Sequence, residues 1–133
     1  TDISTRVLES AKVGEYTRKR VDQVPADMLS RYFDRKTTKG EAAYRVRQEV
    51  KSMVSYARLN LATPPFPMRG PMDVIFCRNV MIYFDNAVRA RLVDEMYRLL
   101  KPGGYLMVGH SESLAGIPTR FERIAPATYV KPE

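Results

Sequence analysis

The clearest hydrophobic pattern lies in the C-terminal half of the chain. MDVIFCRNVMIYF, which begins at Met72, is typical of a buried strand that runs into a loop. Asp85 or Asn86 can then cap a helix, and YLMVGHS, which begins at Tyr105, is typical of a second buried strand. Strand, helix and strand at this spacing predict a βαβ unit with two parallel strands.

The predicted helix between these strands has an apolar stripe and a charged face. The stripe consists of Val88, Leu92, Met96, Leu99 and Leu100. The residues predicted to face water are Arg89, Arg91, Asp94, Glu95 and Arg98. The Lys-Pro-Gly-Gly sequence at 101–104 should end the helix. RFERIAPATYVKP, which begins at Arg120, predicts two short strands that form a hairpin at the sheet edge.

The region from Thr1 to Phe33 is predicted to be helical. Ser4 can cap a first helix that ends near Gly14. A second helix should begin at Val24 and Pro25. The side chains expected on the core faces of these helices are Val7, Leu8, Ala11, Met28, Leu29, Tyr32 and Phe33.

The middle of the chain is polar and is predicted to be a small antiparallel β-subdomain, residues 34–53, inserted into an α/β domain made of residues 1–33 and 54–133. AAYRVR is its one clear extended stretch, and Gly40 predicts a turn. MVSYARLNL, from Met53, is interpreted as a returning strand. TPPFPMRGP, which holds four prolines, must be an irregular connection.

Composition limits the kind of protein. A chain of 133 residues suits one domain, and it has no apolar run long enough to cross a bilayer and no signal-peptide pattern. A single cysteine, Cys77, and a single histidine, His110, leave no internal disulfide and no Cys/His cluster at metal spacing. We therefore expect a soluble cytoplasmic protein without a bound metal, in which Cys77 is a small core residue.

The net charge of +7 favours an acidic partner but does not choose among nucleic acid, anionic lipid and a carboxylate-rich protein surface. The two short basic runs, 18–20 and 35–39, are not interleaved with aromatic residues as a nucleic-acid stacking surface would be. Each is interpreted as a solvated face, with a docking patch as the alternative.

Polar residues stand where predicted strands end. Arg78 and Asn79 follow the strand from Met72, and Asn60 ends the one from Met53. In open α/β sheets ligands bind at the carboxyl ends of strands, so Arg78 and Asn79 should point into a crevice. The alternative for Arg78 is an ion pair that closes the strand end. For Asp2 and Asn60 the alternatives are a helix cap and a turn residue.

Several motifs together resemble a known family. TDI near a helix start, RYF, YRVRQEV, NL, CRNVMIYFD and LLKPGGYLMVGHSE closely resemble the C-terminal catalytic domain of the CheR chemotaxis receptor methyltransferases. The resemblance extends from Thr1 to about Val130. CRNVMIYF followed by GHSE is specific to this family, whereas KPGG is shared by many S-adenosylmethionine-dependent enzymes.

This resemblance implies a Rossmann-like, seven-stranded methyltransferase sheet. It implies an enzyme that transfers the methyl group of S-adenosylmethionine to glutamate side chains of chemoreceptor cytoplasmic helices, giving methyl esters and S-adenosylhomocysteine. The inserted β-subdomain would correspond to one that binds a C-terminal receptor peptide in some members. Neither nucleic acid nor membrane insertion is expected.

The resemblance also implies roles for residues by position. Asp2 would bind the ribose hydroxyls of the cofactor, and Asn60 and Leu61 would contact its adenosine portion. Arg78 and Asn79 would line its methionine end.

The chemistry suits the residues present. A glutamate carboxylate is already ionised near pH 7, so its attack on a methyl group needs no general base. Arg78 is a candidate catalytic residue that positions the carboxylate, and Tyr83 would be the aromatic side chain beside the transferred methyl. For Tyr83 the alternative is a core tyrosine. His110 is interpreted as a hydrogen-bonding residue at a strand end, with a place in the cofactor pocket as the alternative.

An intact family member carries, before the segment matching Thr1, a small helical domain, a first strand and a glycine-containing loop. We therefore expect this chain to be the C-terminal portion of a longer enzyme, inactive alone, or able to fill the gap in its sheet by pairing with a second copy. Two alternative functions are a non-catalytic protein- or peptide-interaction module and a nucleic-acid-binding domain. The second is supported only by the net positive charge.

Overall fold

The computed structural model describes residues 1–38 and 40–133, so Lys39 of the second basic run lies outside it. The chain divides into two compact units, Thr1–Asn60 and Leu61–Glu133. No helix in the described residues is both long enough and apolar enough to span a membrane.

The first unit combines short helices with a three-stranded antiparallel sheet. Its helices are α1 (Thr5–Val13), α2 (Ala26–Tyr32) and α3 (Gln48–Lys51), with a 3₁₀ turn at Arg18–Arg20. Its strands are β1 (Glu15–Thr17), β2 (Phe33–Thr38) and β3 (Glu41–Val46). The strand order is β1-β3-β2, which leaves β1 and β2 as the two edges.

Helix α1 begins and ends as predicted. The Ser4 hydroxyl accepts a hydrogen bond from the Val7 N–H at 3.4 Å, and Gly14 ends the helix with φ 66°, a conformation that glycine adopts at little cost. Of the predicted core residues in α1, Leu8 is buried, whereas Val7 is exposed.

The prediction of a core face on α2 is wrong. The helix contributes no buried residue, and Met28 is exposed. The helical pattern also extended one residue too far, because Phe33 already belongs to β2, where it pairs with Val46. This cross-strand pairing overrides the local helical periodicity. The predicted AAYRVR strand corresponds to β3, whereas its polar partner β2, FDRKTT, was not predicted.

The predicted returning strand from Met53 is also wrong. Residues 53–60 contain an isolated parallel bridge between Asp2 and Arg58 and no regular strand. Of the apolar side chains that suggested a strand, Leu59 is buried, but Met53 is 77% exposed and Val54 is exposed as well. Without a continuous apolar face to bury, the alternation of residues does not produce a sheet strand.

The second unit contains the predicted βαβ unit. Its elements are β4 (Met72–Cys77), a 3₁₀ turn (Met81–Tyr83), α4 (Asn86–Leu99), β5 (Leu100–Val108), β6 (Glu122–Ala125) and β7 (Thr128–Val130). The sheet order is β4-β5-β7-β6, with β4 and β5 parallel and the other pairs antiparallel. The predicted hairpin is confirmed, with β6 at the sheet edge. An α/β fold is therefore confirmed, while the seven-stranded sheet and the division at residues 34–53 stay predictions.

Strand β4 is less buried than predicted. Phe76 is 68% exposed and Val74 is exposed. Within the described residues β4 pairs only with β5, so it forms an edge of its sheet. The prediction of a buried strand is therefore wrong for much of β4 in this unit.

The core of the second unit lies between α4 and β5. Leu92 and Leu99 of the helix and Leu106 of the strand are almost completely buried. Burying a leucine side chain stabilises a fold by roughly 1.5–3 kcal/mol, so these contacts contribute much of what fixes α4 on the sheet.

Glu95 corrects the prediction of a uniformly solvated face on α4. Its carboxylate is 6% exposed and accepts a hydrogen bond from the Phe66 N–H at 2.7 Å. Arg98, one turn along the helix, donates two further hydrogen bonds to it at 2.9 and 2.6 Å. Glu95 thereby anchors the proline-rich connection at 63–71, which is irregular as predicted.

Candidate functional site

The polar residues after β4 lie on a sharp turn. Asn79 has φ 58°, in the left-handed region that asparagine tolerates better than most residues. The chain then enters the 3₁₀ turn, where Met81 is buried and Tyr83 is 80% exposed. The turn therefore anchors one side chain in the core and presents another outwards.

Arg78 is exposed and makes no hydrogen bond or ion pair with any residue that the structure describes. The alternative of an arginine paired to close the strand end is therefore not observed. Arg78 lines a shallow cavity of about 170 Å³ together with Phe76, His110 and the turn between β6 and β7. This cavity lies at the carboxyl ends of β4 and β5, where α/β sheets bind ligands.

Tyr83 and His110 are both exposed. The exposure of Tyr83 argues against the alternative of a core tyrosine. His110 borders the cavity that Arg78 lines, so its position fits the pocket alternative as well as a strand-end role. Neither residue's part in catalysis or binding is tested by its placement, and both roles stay predictions.

The sequence reasoning missed Glu112, the last residue of GHSE. This carboxylate is only 6% exposed and binds four backbone N–H groups. Its Oε2 accepts from Asn79 at 2.7 Å and Gly109 at 2.6 Å, and its Oε1 accepts from Val80 at 2.9 Å and Met81 at 2.8 Å. Burial raises the pKa of Glu112, but these hydrogen bonds outweigh burial and hold the pKa below its usual value. The signals in the sequence were the GHSE motif of the resemblance, which ends at this residue, and an acidic residue just after a buried strand.

Cys77 precedes this loop and is buried, as predicted. Burial and, to a smaller extent, the charge of Glu112 raise the pKa of its thiol to about 11. The thiol therefore stays protonated at neutral pH, which agrees with a packing role rather than a nucleophilic one.

Asp2 and Asn60 lie in the first unit. The Asp2 N–H donates to the Ala57 carbonyl at 3.3 Å, and the Leu59 N–H donates to the Asp2 carbonyl at 3.0 Å. This parallel bridge brings the segments of Asp2 and Asn60 side by side. Asp2 also accepts the Ser4 N–H on Oδ1 at 2.8 Å, next to the helix cap that Ser4 itself provides.

The predicted site residues are thus distributed over both units. Asp2 and Asn60 belong to the first, and Leu61, Arg78, Asn79 and Tyr83 belong to the second. Their assembly into a single site stays a prediction. In the described part of the chain, no group of three or more His, Cys, Asp or Glu side chains is placed to hold a metal ion.

Comparison with known proteins defines the class. Residues 1–130 match the family described as CheR methyltransferase, SAM binding domain. The chain therefore belongs to this family, whose cofactor is S-adenosylmethionine.

Similar proteins come from several bacteria. The chemotaxis protein methyltransferase of Escherichia coli K12 is 43% identical over 121 residues, which are 91% of this chain and 42% of that protein. The Borreliella burgdorferi protein of the same name is 39% identical over 131 residues, 98% of this chain and 45% of that protein. Chemotaxis protein methyltransferase 2 of Vibrio cholerae is 35% identical over an alignment of 136 positions, which covers 99% of this chain and 46% of that protein. The chain thus spans less than half the length of these relatives.

The observed donors and acceptors fit the cofactor's groups. Oδ2 of Asp2 accepts no hydrogen bond from the described residues, so it is free to accept from ribose hydroxyls. The guanidinium of Arg78, which has no partner among the described residues, suits the carboxylate of the methionine part, because it offers a planar set of donors.

Proposed function

We propose that the protein containing this chain is an S-adenosylmethionine-dependent O-methyltransferase that esterifies glutamate side chains on the cytoplasmic helices of chemoreceptors. One observation supports this most strongly: an Arg78 without a partner among the described residues and an exposed Tyr83 follow β4 in a chain that belongs to the CheR methyltransferase family. Its relatives are named chemotaxis protein methyltransferases. We place the protein in the cytoplasm, where these receptor helices lie.

The proposed mechanism depends on alignment. The bound cofactor supplies an activated methyl group on a sulfonium. Arg78 orients the substrate carboxylate through charge-assisted hydrogen bonds, and Tyr83 forms an aromatic wall that excludes water. Because attack neutralises the carboxylate, the guanidinium must orient it without holding its charge too tightly. No residue has to remove a proton, since the glutamate is ionised near pH 7.

The antiparallel sheet of the first unit is a candidate site for a receptor's C-terminal peptide. Its edge strand β2 carries the exposed side chains of Arg35 and Lys36. An unpaired strand edge can accept an extended peptide through main-chain hydrogen bonds, and these charges would favour an acidic one.

The test is transfer of labelled methyl from S-adenosylmethionine to a receptor cytoplasmic fragment by the full-length protein. Arg78→Ala should lower kcat/KM by about 30- to 150-fold, equivalent to about 2–3 kcal/mol for a charge-assisted hydrogen bond. Its thermal melt should not change, since Arg78 has no partner among the described residues. Arg91→Ala, at another exposed arginine without such a partner, is the matched control and should leave kcat/KM unchanged.

The second candidate function, a non-catalytic interaction module, is favoured by the open edge of β2. It predicts binding of the receptor peptide without any methyl transfer by the wild-type protein.

Methyl transfer that is undiminished in Arg78→Ala would refute the role given to Arg78 but not the enzyme class.

A further inference from the structure

We propose that Glu112 is a positioning residue for methyl transfer: it fixes the backbone of the segment that carries Arg78 and Tyr83. This inference rests on the proposed function, because it assigns Glu112 to the site in which Arg78 and Tyr83 act. Glu112 itself touches neither the substrate nor the cofactor in this account. It acts through the loop.

The hydrogen bonds of Glu112 are concentrated on that loop. Three of its four donors are the consecutive N–H groups of residues 79–81, which lie between Arg78 and Tyr83 in the sequence. Both carboxylate oxygens accept from this segment. A buried carboxylate that binds consecutive N–H groups fixes the orientation of these peptide groups. It therefore also fixes the backbone positions from which the flanking side chains extend.

The fourth hydrogen bond ties this loop to the neighbouring strand. The Gly109 N–H, directly after β5, donates to Glu112 at 2.6 Å, and the Glu112 N–H donates back to the Gly109 carbonyl at 2.9 Å. Glu112 therefore joins the carboxyl ends of β4 and β5. These strand ends also form the cavity that Arg78 and His110 line.

Gly109 leaves space that this arrangement needs. A Cβ at position 109 would lie 2.5 Å from Oε2 of Glu112 and 2.6 Å from Oδ1 of Asn79, closer than real Cβ atoms approach such atoms. The glycine and the glutamate of GHSE thus function together, since only a residue without a side chain lets the carboxylate reach its donors.

Glu112→Gln is the decisive variant. It keeps the size of the side chain but replaces one acceptor oxygen by an NH₂ group, which cannot accept from the two N–H groups it would face. We expect kcat of the full-length protein to fall at least about tenfold, because small misplacements of catalytic groups lower rates strongly. In the cofactor-free protein, amide hydrogen exchange at residues 79–81 should accelerate.

Glu95→Gln is the matched control. Glu95 is equally buried, lies in the same unit and also accepts a backbone N–H, but its partners are Phe66 and Arg98 rather than the loop. We expect Glu95→Gln to lower the melting temperature to a similar extent while kcat and the exchange at residues 79–81 stay at wild-type values.

Glu112→Asp is a second test variant, which is needed if Glu112→Gln does not fold. It keeps the charge, but its side chain is too short to reach all four donors, so it should give an intermediate loss of kcat.

The outcomes separate this inference from the proposed function. Loss of kcat and faster exchange at residues 79–81 in the Glu112 variants, absent in Glu95→Gln, supports the inference. It is overturned if Glu112→Gln, or Glu112→Asp where the former does not fold, keeps wild-type kcat and exchange. It is equally overturned if Glu112→Gln and Glu95→Gln lower kcat to the same extent. Absence of methyl transfer in the wild type refutes the proposed function, whereas the exchange data still decide whether Glu112 holds the loop.

Discussion

Gly109→Ala tests directly how firmly the Glu112 carboxylate is held. The new Cβ would lie 2.5 Å from Oε2 of Glu112, so that oxygen must move by at least about 0.5 Å to reach the shortest distance that real Cβ contacts show. Oε2 is the atom that accepts from the Asn79 and Gly109 N–H groups, at 2.7 and 2.6 Å. Both hydrogen bonds would therefore be weakened by one added methyl group.

The size of the effect follows from these two bonds. A hydrogen bond to a charged group contributes about 1.5–3 kcal/mol net, and a buried donor left unpaired costs a similar amount. Losing both bonds at the lower end of this range destabilises the protein by about 3 kcal/mol. The backbone at Gly109 adds nothing to this cost, because its φ lies outside the left-handed region where alanine is disfavoured.

Urea unfolding of the wild type and the variant measures this difference, with an unchanged m value indicating that stability alone has changed. Gly116→Ala is the matched control: a Cβ there meets open space, but the residue has φ 77°. It should cost about 1–2 kcal/mol from backbone conformation alone. If Gly109→Ala costs no more than Gly116→Ala, the carboxylate is not rigidly held and the reasoning fails.

Two further predictions concern stability. Asp85→Ala should destabilise the protein by about 1 kcal/mol, because the Asp85 carboxylate accepts the Val88 N–H at 2.8 Å as the N-cap of α4; chemical denaturation checks this, and an unchanged midpoint would contradict it. The second concerns pH. Since the pKa of Glu112 is lower in the folded than in the unfolded state, its stabilising contribution should be complete above the ordinary value of about 4.5 and should disappear as pH falls through the folded pKa. The stability difference between the wild type and Glu112→Gln should therefore be constant near neutral pH and shrink in acid; a difference that grows in acid would refute this sign.

The parts of the fold that could be predicted were those that local chemistry specifies. Ser4, Gly14 and Asp85 define helix ends by caps that need no tertiary partner. The βαβ unit and the final hairpin follow from hydrophobic period and turn residues. In each of these cases the sequence signal and the structural cause lie within a few residues of each other.

The predictions failed where tertiary contacts determine the local structure. β2 is polar and forms a strand because β3 pairs with it. The segment from Met53 has strand-like residues but pairs with no strand of the described residues, and it leaves Met53 and Val54 exposed. Glu95 was assigned to water by helical periodicity, but its carboxylate is buried because Phe66 and Arg98 supply donors. None of these partners could be identified from spacing along the chain.

The predictions for the candidate site succeeded and failed for the same reasons. Arg78 and Asn79 were predicted from their place after a buried strand, and the structure puts them at the carboxyl end of β4. Glu112 was missed because its importance lies in four backbone donors from two separate loops, which side-chain patterns do not reveal.

The proposal that glutamate is the methyl acceptor can be tested most directly by mass-spectrometric mapping of a receptor cytoplasmic fragment after incubation with the full-length protein and S-adenosylmethionine. We expect added methyl groups on glutamate side chains, removed by mild base as esters are, and absent without the cofactor. Methyl groups on another residue type, base-stable modification, or none at all with an active cofactor preparation would contradict it.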